Sequence, residues 1–185
     1  MKKMICLMLA LTCLFSMIST AFADGSSWPV ISLTGYGTAL KPSKDENRRY
    51  QSTFGPGKYP GAGAYKPYKV TSMTALMREG EYVLVDMSYK TVGRRILYFK
   101  ASSLTNATAE EMYYTPCSAT TTTTIQPMFG PGYAYDEVTD QKNNRVTIGA
   151  GNRVSVFFEA NGWVFAEFSC SLGMIRAWLP ADQVR

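Results

Sequence analysis

Apolar and polar positions divide the chain into regions of different texture. A long, predominantly apolar run at 4–18 follows Lys2 and Lys3. Beyond it, apolar residues gather in short runs at 81–87, 95–99, 153–158, 163–168 and 174–179, rich in β-branched and aromatic side chains and separated by glycine, asparagine and charged breaks. Runs of that length and composition predict β-strands. Arg78-Glu79-Gly80-Glu81 and Ala160-Asn161-Gly162 stand just before two of them, and Asn-Gly between strands is a strong hairpin signal. Beyond the leading run no window carries a 3.6-residue apolar stripe bounded by caps, and 107–113 has room for one or two helical turns at most. The pattern predicts an all-β chain.

Compared with itself, the chain repeats. Gln51-Ser52-Thr53-Phe54-Gly55-Pro56-Gly57 returns 75 residues later as Gln126-Pro127-Met128-Phe129-Gly130-Pro131-Gly132, with five identities in seven. Tyr82-Val83-Leu84-Val85-Asp86-Met87-Ser88 matches Trp163-Val164-Phe165-Ala166-Glu167-Phe168-Ser169 in character. After one residue of slack, Gly93 to Phe99 meets Gly173 to Leu179, and Leu104 meets Val184. Three blocks in the same order predict two copies of one small domain. The boundaries read as a leader at 1–23, an N-terminal segment and charged linker at 24–47, a first repeat at 48–104, a linker at 105–117 and a second repeat at 118–185. Copies this small bury little core alone, so the expected architecture is two small closed barrels, docked together or not. Trp28, Val30, Ile31, Leu33 and Tyr36 suit an extra strand against the first copy, and the threonine run is expected to open the second copy with a strand near 122–125.

The leading run alters the picture of location. Two lysines, an apolar stretch shorter than the ~20 residues that span a bilayer, and Ala21-Phe22-Ala23 have the form of a secretory signal peptide cleaved after Ala23. No second long apolar segment follows, so the expected mature chain has no integral membrane segment and is secreted, periplasmic or wall-associated. Cleavage removes Cys6 and Cys13 and leaves Cys117 and Cys170. In an oxidising compartment these two form either a disulfide, which the loop-entropy model values at about 4 kcal/mol, or two unpaired small buried residues. Asn106-Ala107-Thr108 fits a glycosylation sequon.

The repeated motifs resemble the bacterial SH3-like (SH3b) family: the Phe-Gly-Pro-Gly loop followed by Tyr59 or Tyr133, the Gly-x-aromatic-Val strand at Tyr82 or Trp163, and a closing aromatic-aliphatic strand. The second copy is nearer, with Asn161-Gly162-Trp163-Val164 and Ala177-Trp178-Leu179 in order, Ala177 standing in for the family's final glycine. The resemblance implies two tandem small SH3-like β-barrels and an exported binding protein whose partner is cell-wall peptide. The alternative is a module that docks on an envelope protein.

Composition narrows the chemistry. The chain of 185 residues holds no histidine, which removes Ser-His-Asp and Cys-His catalysis and most mixed-ligand zinc sites. The net charge of +5 is slight, falls further with the leader, and does not suggest a nucleic-acid partner. Asp86 and Glu167 hold matching positions, and such a pair can serve glycoside hydrolysis when held about 5–9.5 Å apart on one cleft, but they belong to different copies, alternate with buried-looking neighbours and read as a solvated strand face. Arg94, Arg95 and Arg176 read as solvated edge charges, with carboxylate capture as the alternative. No catalytic residue, metal ligand or cofactor is expected. The candidate ligand-binding residues are aromatics near the Gly-Pro loops: Phe54, Tyr59, Tyr65 and Tyr68 in the first copy, and Phe129, Tyr133 and Tyr135 in the second. Tyrosine offers flat apolar area with a polar edge, suited to extended peptide. The competing reading places several of these rings in a barrel mouth or between the copies.

Overall fold

A computed structural model describes residues 27–33, 38–39, 52–56, 70–89, 93–104, 109–140 and 142–185. The leader, the charged linker at 41–49, Tyr59, Tyr65, Tyr68 and the sequon lie outside the described residues. The described chain is all-β, in two antiparallel sheets. The first holds β1 (Thr38–Ala39), β2 (Ser52–Thr53), β3 (Val70–Glu79), β4 (Tyr82–Tyr89) and β5 (Arg94–Lys100) in the order β1-β3-β4-β5-β2. The second holds β6 (Cys117–Thr120), β7 (Arg153–Ala160), β8 (Trp163–Cys170) and β9 (Gly173–Pro180) in chain order. Each three-stranded meander ends in a 3-10 turn, Ala101–Ser103 or Ala181–Gln183.

Register makes the repeat concrete. Thr53 pairs with Tyr98 in the first copy, and Met128 pairs with Trp178 in the second. Asp86 faces Ile96 as Glu167 faces Arg176. The two hairpins even share an irregularity, a break in register between Ala75 and Met77 and between Val156 and Phe158. An extra residue there lets Leu76 and Phe157 bend their strands at matching places. The second hairpin turns at Asn161 and Gly162 with φ of 53° and 76°, left-handed values at both central positions, as a type I′ turn requires. After Ala181–Gln183 the chain returns to its first strand: Thr120 and Arg185 exchange backbone hydrogen bonds at 2.7 and 3.0 Å, and Thr121 bridges Val184. The opening strand of this copy is thus at Cys117–Thr120, ahead of the 122–125 expected. Thr122, Thr123 and Thr124 are exposed, so nothing apolar rewards extending the ladder through them.

Both faces of the meanders are buried. Alternation places Val83, Val85, Met87, Leu97 and Phe99 on one face and Leu84, Ile96 and Tyr98 on the other. The first set shares a cluster with Val164, Ala166, Phe168, Ile175 and Leu179 of the second copy, and the other packs with Phe158, Trp163, Phe165 and Trp178. Two small closed barrels, docked together or not, were expected; the described strands form two antiparallel sheets, and each apolar cluster draws on both copies. Tyr98 lies 6.3 Å from Phe165 across that contact.

The segments ahead of the copies are exchanged. Ile31 N–H donates to Glu159 O and Glu159 N–H to Pro29 O, each at 2.8 Å, so the N-terminal segment lies along β7 of the second copy. Trp28 is buried there, and its Nε1 donates to Glu159 Oε2 at 3.0 Å. In the mirror arrangement Arg78 N–H donates to Glu110 O and Met112 N–H to Arg78 O, which lays residues 110–112 along β3 of the first copy. The expectation that the N-terminal segment pairs with the first copy holds for β1, which joins β3, and is corrected for residues 29–31. Sequence periodicity carries no information about which of two like edges a short strand will choose.

Cys117 and Cys170 are both free. Cys117 pairs with Val156 on the edge strand β6, and Cys170 ends β8 two strands away. Two strand spacings are about 10 Å, beyond the ~7 Å Cα limit for a disulfide. Cys117 Sγ donates instead to Ser27 O at 3.1 Å.

Candidate binding site

The Phe-Gly-Pro-Gly loops meet between the copies. Phe54 and Phe129 are each 6% exposed and stack on one another, ring centroids 5.6 Å apart and planes 19° from parallel. Phe129 O accepts from Ile96 N–H at 2.7 Å, and Phe54 O accepts from Arg176 N–H at 3.0 Å. Since Ile96 and Arg176 hold equivalent places, each loop clamps the other copy's last long strand, with the reciprocity of a two-fold interface. The two phenylalanines therefore stand in the interior between the copies, as the competing reading places them, and not on an exposed groove.

Acidic and basic groups order the rest of this contact. Arg94 Nε donates to Asp86 Oδ1 at 2.9 Å, its Nη2 donates to Asp86 Oδ2, and its guanidinium lies 4.7 Å from the centroid of the Tyr135 ring. Tyr135 belongs to the second copy, and its hydroxyl donates to the same Oδ2 at 3.0 Å. The Asp86 hydrogen bonds raise the Arg94 pKa above its ordinary value, and burial beside that carboxylate raises the Tyr135 phenol. Gly130 and Gly93 leave room for these groups. A Cβ on Gly130 would come 2.0 Å from the Tyr135 ring, and one on Gly93 would come 1.8 Å from Asp136 Oδ1. Asp136 in turn pairs with Arg95, whose guanidinium lies 4.7 Å from the Phe129 centroid.

On the second copy's side, Arg176 Nε donates to Glu167 Oε2 at 3.0 Å, while its Nη1 reaches Glu79 Oε2 at 2.6 Å and Tyr98 Oη at 3.3 Å. Its guanidinium stacks 4.2 Å from the Phe157 centroid. Asp86 is buried and Glu167 half-buried, both in ion pairs, which corrects the solvated strand face expected of them. Arg95 and Arg176 are likewise drawn inward, with side chains 12% and 9% exposed. The face of each sheet that carries these charges turns toward the other copy and not toward water.

Of the expected ligand-binding aromatics among the described residues, Tyr133 alone is strongly exposed, at 83%. Its ring meets Trp163 edge-on, centroids 5.1 Å apart. Trp163 is buried, opens β8 directly after the Asn161-Gly162 turn, and pairs with Pro180 on β9. Three signals that sequence kept apart, a Gly-Pro loop, an Asn-Gly-Trp strand and a closing strand, thus converge on one surface. Sequence reasoning missed Arg94 as a neighbour of the same loop, since only the docked copies bring β5 to Tyr135. Among the described residues no helix is long and apolar enough to cross a membrane, and no group of three or more acidic or sulfur side chains could hold a metal ion. Comparison with protein-family models, with curated proteins and with solved structures found no match.

Proposed function

We propose that the chain is an exported, noncatalytic binding protein made of two SH3-like domains, and that it recognises peptide of the cell wall or envelope. The observation that carries this reading is Tyr133, presented to solvent on the Gly-Pro loop and braced edge-on by Trp163. A rigid aromatic standing proud of the surface binds extended chains at small entropy cost. The element order supports the SH3-like assignment: a first strand, a long loop folded on itself through the Met128–Glu137 and Thr139–Arg145 bridges, a three-stranded meander, a 3-10 turn and a return to the first strand. A noncatalytic role agrees with the absence of histidine and with the engagement of Asp86 and Glu167 in arginine pairs. The shared core fixes the spacing of the two copies, so binding to a polymer that repeats its ligand would gain from held geometry without a flexible connector.

Cosedimentation of residues 24–185 with purified cell walls tests the reading. Retention is expected, weakened about tenfold by Tyr133→Ala, the typical loss for a well-placed interfacial aromatic, and weakened further when Tyr59→Ala is added. Equal pelleting by wild type and variants refutes the site. Capture of one envelope protein with no retention on walls replaces wall peptide by a protein partner.

A further inference from the structure

Each copy pairs the equivalent acid, Glu167 or Asp86, with an arginine, but from different places on the closing strand: Arg176 is equivalent to Ile96, and Arg94 to Met174. Around Glu167 the guanidinium of Arg176 is consumed: Glu167, Glu79, Tyr98 and the Phe157 ring surround it, and the side chain is 9% exposed. Around Asp86, the equivalent acid, the guanidinium of Arg94 is also paired but remains 47% exposed. Asp86 takes the edge formed by Nε and Nη2, the Tyr135 ring covers one face, and the Tyr135 hydroxyl steadies the same carboxylate. Tyr135 is itself fixed against Gly130, where no Cβ could be accommodated. Of the five N–H donors of a guanidinium, two meet Asp86. Among the described residues no further acceptor meets the others, which lie on the solvent side. The first copy supplies Arg94 and Asp86, and the second supplies Tyr135, so the arrangement exists only when the copies are docked.

A guanidinium held along one edge by a carboxylate and over one face by an aromatic ring, and still half exposed, is preorganised for an oxyanion. Asp86 and Asp136 lie within its surroundings and keep the local potential low, which suits a monoanion better than a phosphate dianion. Tyr133 stands two residues from Tyr135 on the same loop and presents apolar area. We infer that Arg94 is a carboxylate-binding residue, and that the ligand is a peptide whose free carboxylate meets Arg94 while its body lies on Tyr133. This rests on the wall-peptide reading above and specifies the chemistry of its ligand.

The test uses residues 24–185 and two solid ligands: purified walls, and the same walls with their carboxylates converted to amides. Wild type is expected to bind amidated walls about tenfold more weakly, the worth of one charge-assisted pair. Arg94→Gln should bind both walls alike at that lower level. Arg94→Lys, which keeps a cation beside Asp86 and so protects the fold, should lose most of the discrimination too. Arg145→Gln removes a cation that is 72% exposed beside Glu137 and should bind like wild type. Equal retention of wild type on native and amidated walls overturns the carboxylate site and leaves the wall reading standing. Equal losses in Arg145→Gln and Arg94→Gln also overturn it, by reducing the effect to general charge. No retention on either wall overturns both readings.

Discussion

Arg176→Met gives the sharpest test of how the copies are joined. The substitution keeps an unbranched chain over Phe157 and deletes a cation that is 9% exposed and serves both copies, with Glu167 at 3.0 Å in its own and Glu79 at 2.6 Å in the other. Removing one partner of a buried pair costs about 3–5 kcal/mol, because the remaining charge is stranded. The two carboxylate side chains are 26% and 28% exposed and recover some hydration, which lowers the expected cost to about 2–4 kcal/mol. For a chain of this size that is a fall in Tm of roughly 5–15 °C. Denaturant unfolding followed by tryptophan fluorescence and by circular dichroism should give one coincident transition in both proteins, moved to lower denaturant in the variant. Shared apolar clusters and exchanged edge segments leave neither copy a core of its own to melt separately. A cost below about 1 kcal/mol would refute the burial argument. Two transitions, of which only the second moves, would refute the coupling of the copies.

Gly93→Ala places a Cβ 1.8 Å from Asp136 Oδ1, on a carboxylate whose other oxygen Arg95 holds, and it should cost about 1–3 kcal/mol in the same unfolding assay. The Tyr98 and Tyr135 phenols are both raised above their ordinary pKa, first by burial. A group whose folded pKa is raised contributes stability below its unfolded pKa and loses it as pH rises, so wild-type Tm should be level at neutral pH and fall above about pH 10. Tyr135→Phe should flatten part of that fall; an unchanged alkaline limb would refute the assignment. Alkylation followed by mass spectrometry should find two free thiols on residues 24–185, with Cys170 reacting more slowly because burial raises its pKa.

Much of the fold was legible in sequence because strands announce themselves locally. The runs at 95–99, 163–168 and 174–179 fall within β5, β8 and β9, the run at 81–87 overlaps β4 from Tyr82 on, and the repeated blocks occupy equivalent registers. The nearly unbroken apolar character of 82–87 already carried a further message, since a strand with one solvated face alternates and this one does not. Its second buried face is the contact between copies. What the sequence could not convey was the exchange of edge segments: Glu110 and Met112 share no residue type with Pro29 and Ile31, and both segments bind through backbone groups that every residue carries. β3 was also quiet, because Met, Ala, Leu, Arg and Glu in 73–79 favour helix and are held extended by pairing with β4 and β1. The candidate site was half legible. Tyr133 was named from its loop, while Phe54 and Phe129 have the same composition cues and turn inward, because two copies of one apolar loop cover each other better than either meets water.

The most direct measurement is an amide chemical-shift map of residues 24–185 titrated with soluble cell-wall peptide fragments. The account expects saturable shifts concentrated at 130–135, at 162–164 and around Arg94, where the Gly-Pro loop, the opening of β8 and the start of β5 come together. Saturable shifts confined to another surface, such as the turn at 140–145, or no shifts at fragment concentrations that compete the protein off intact walls, would contradict it.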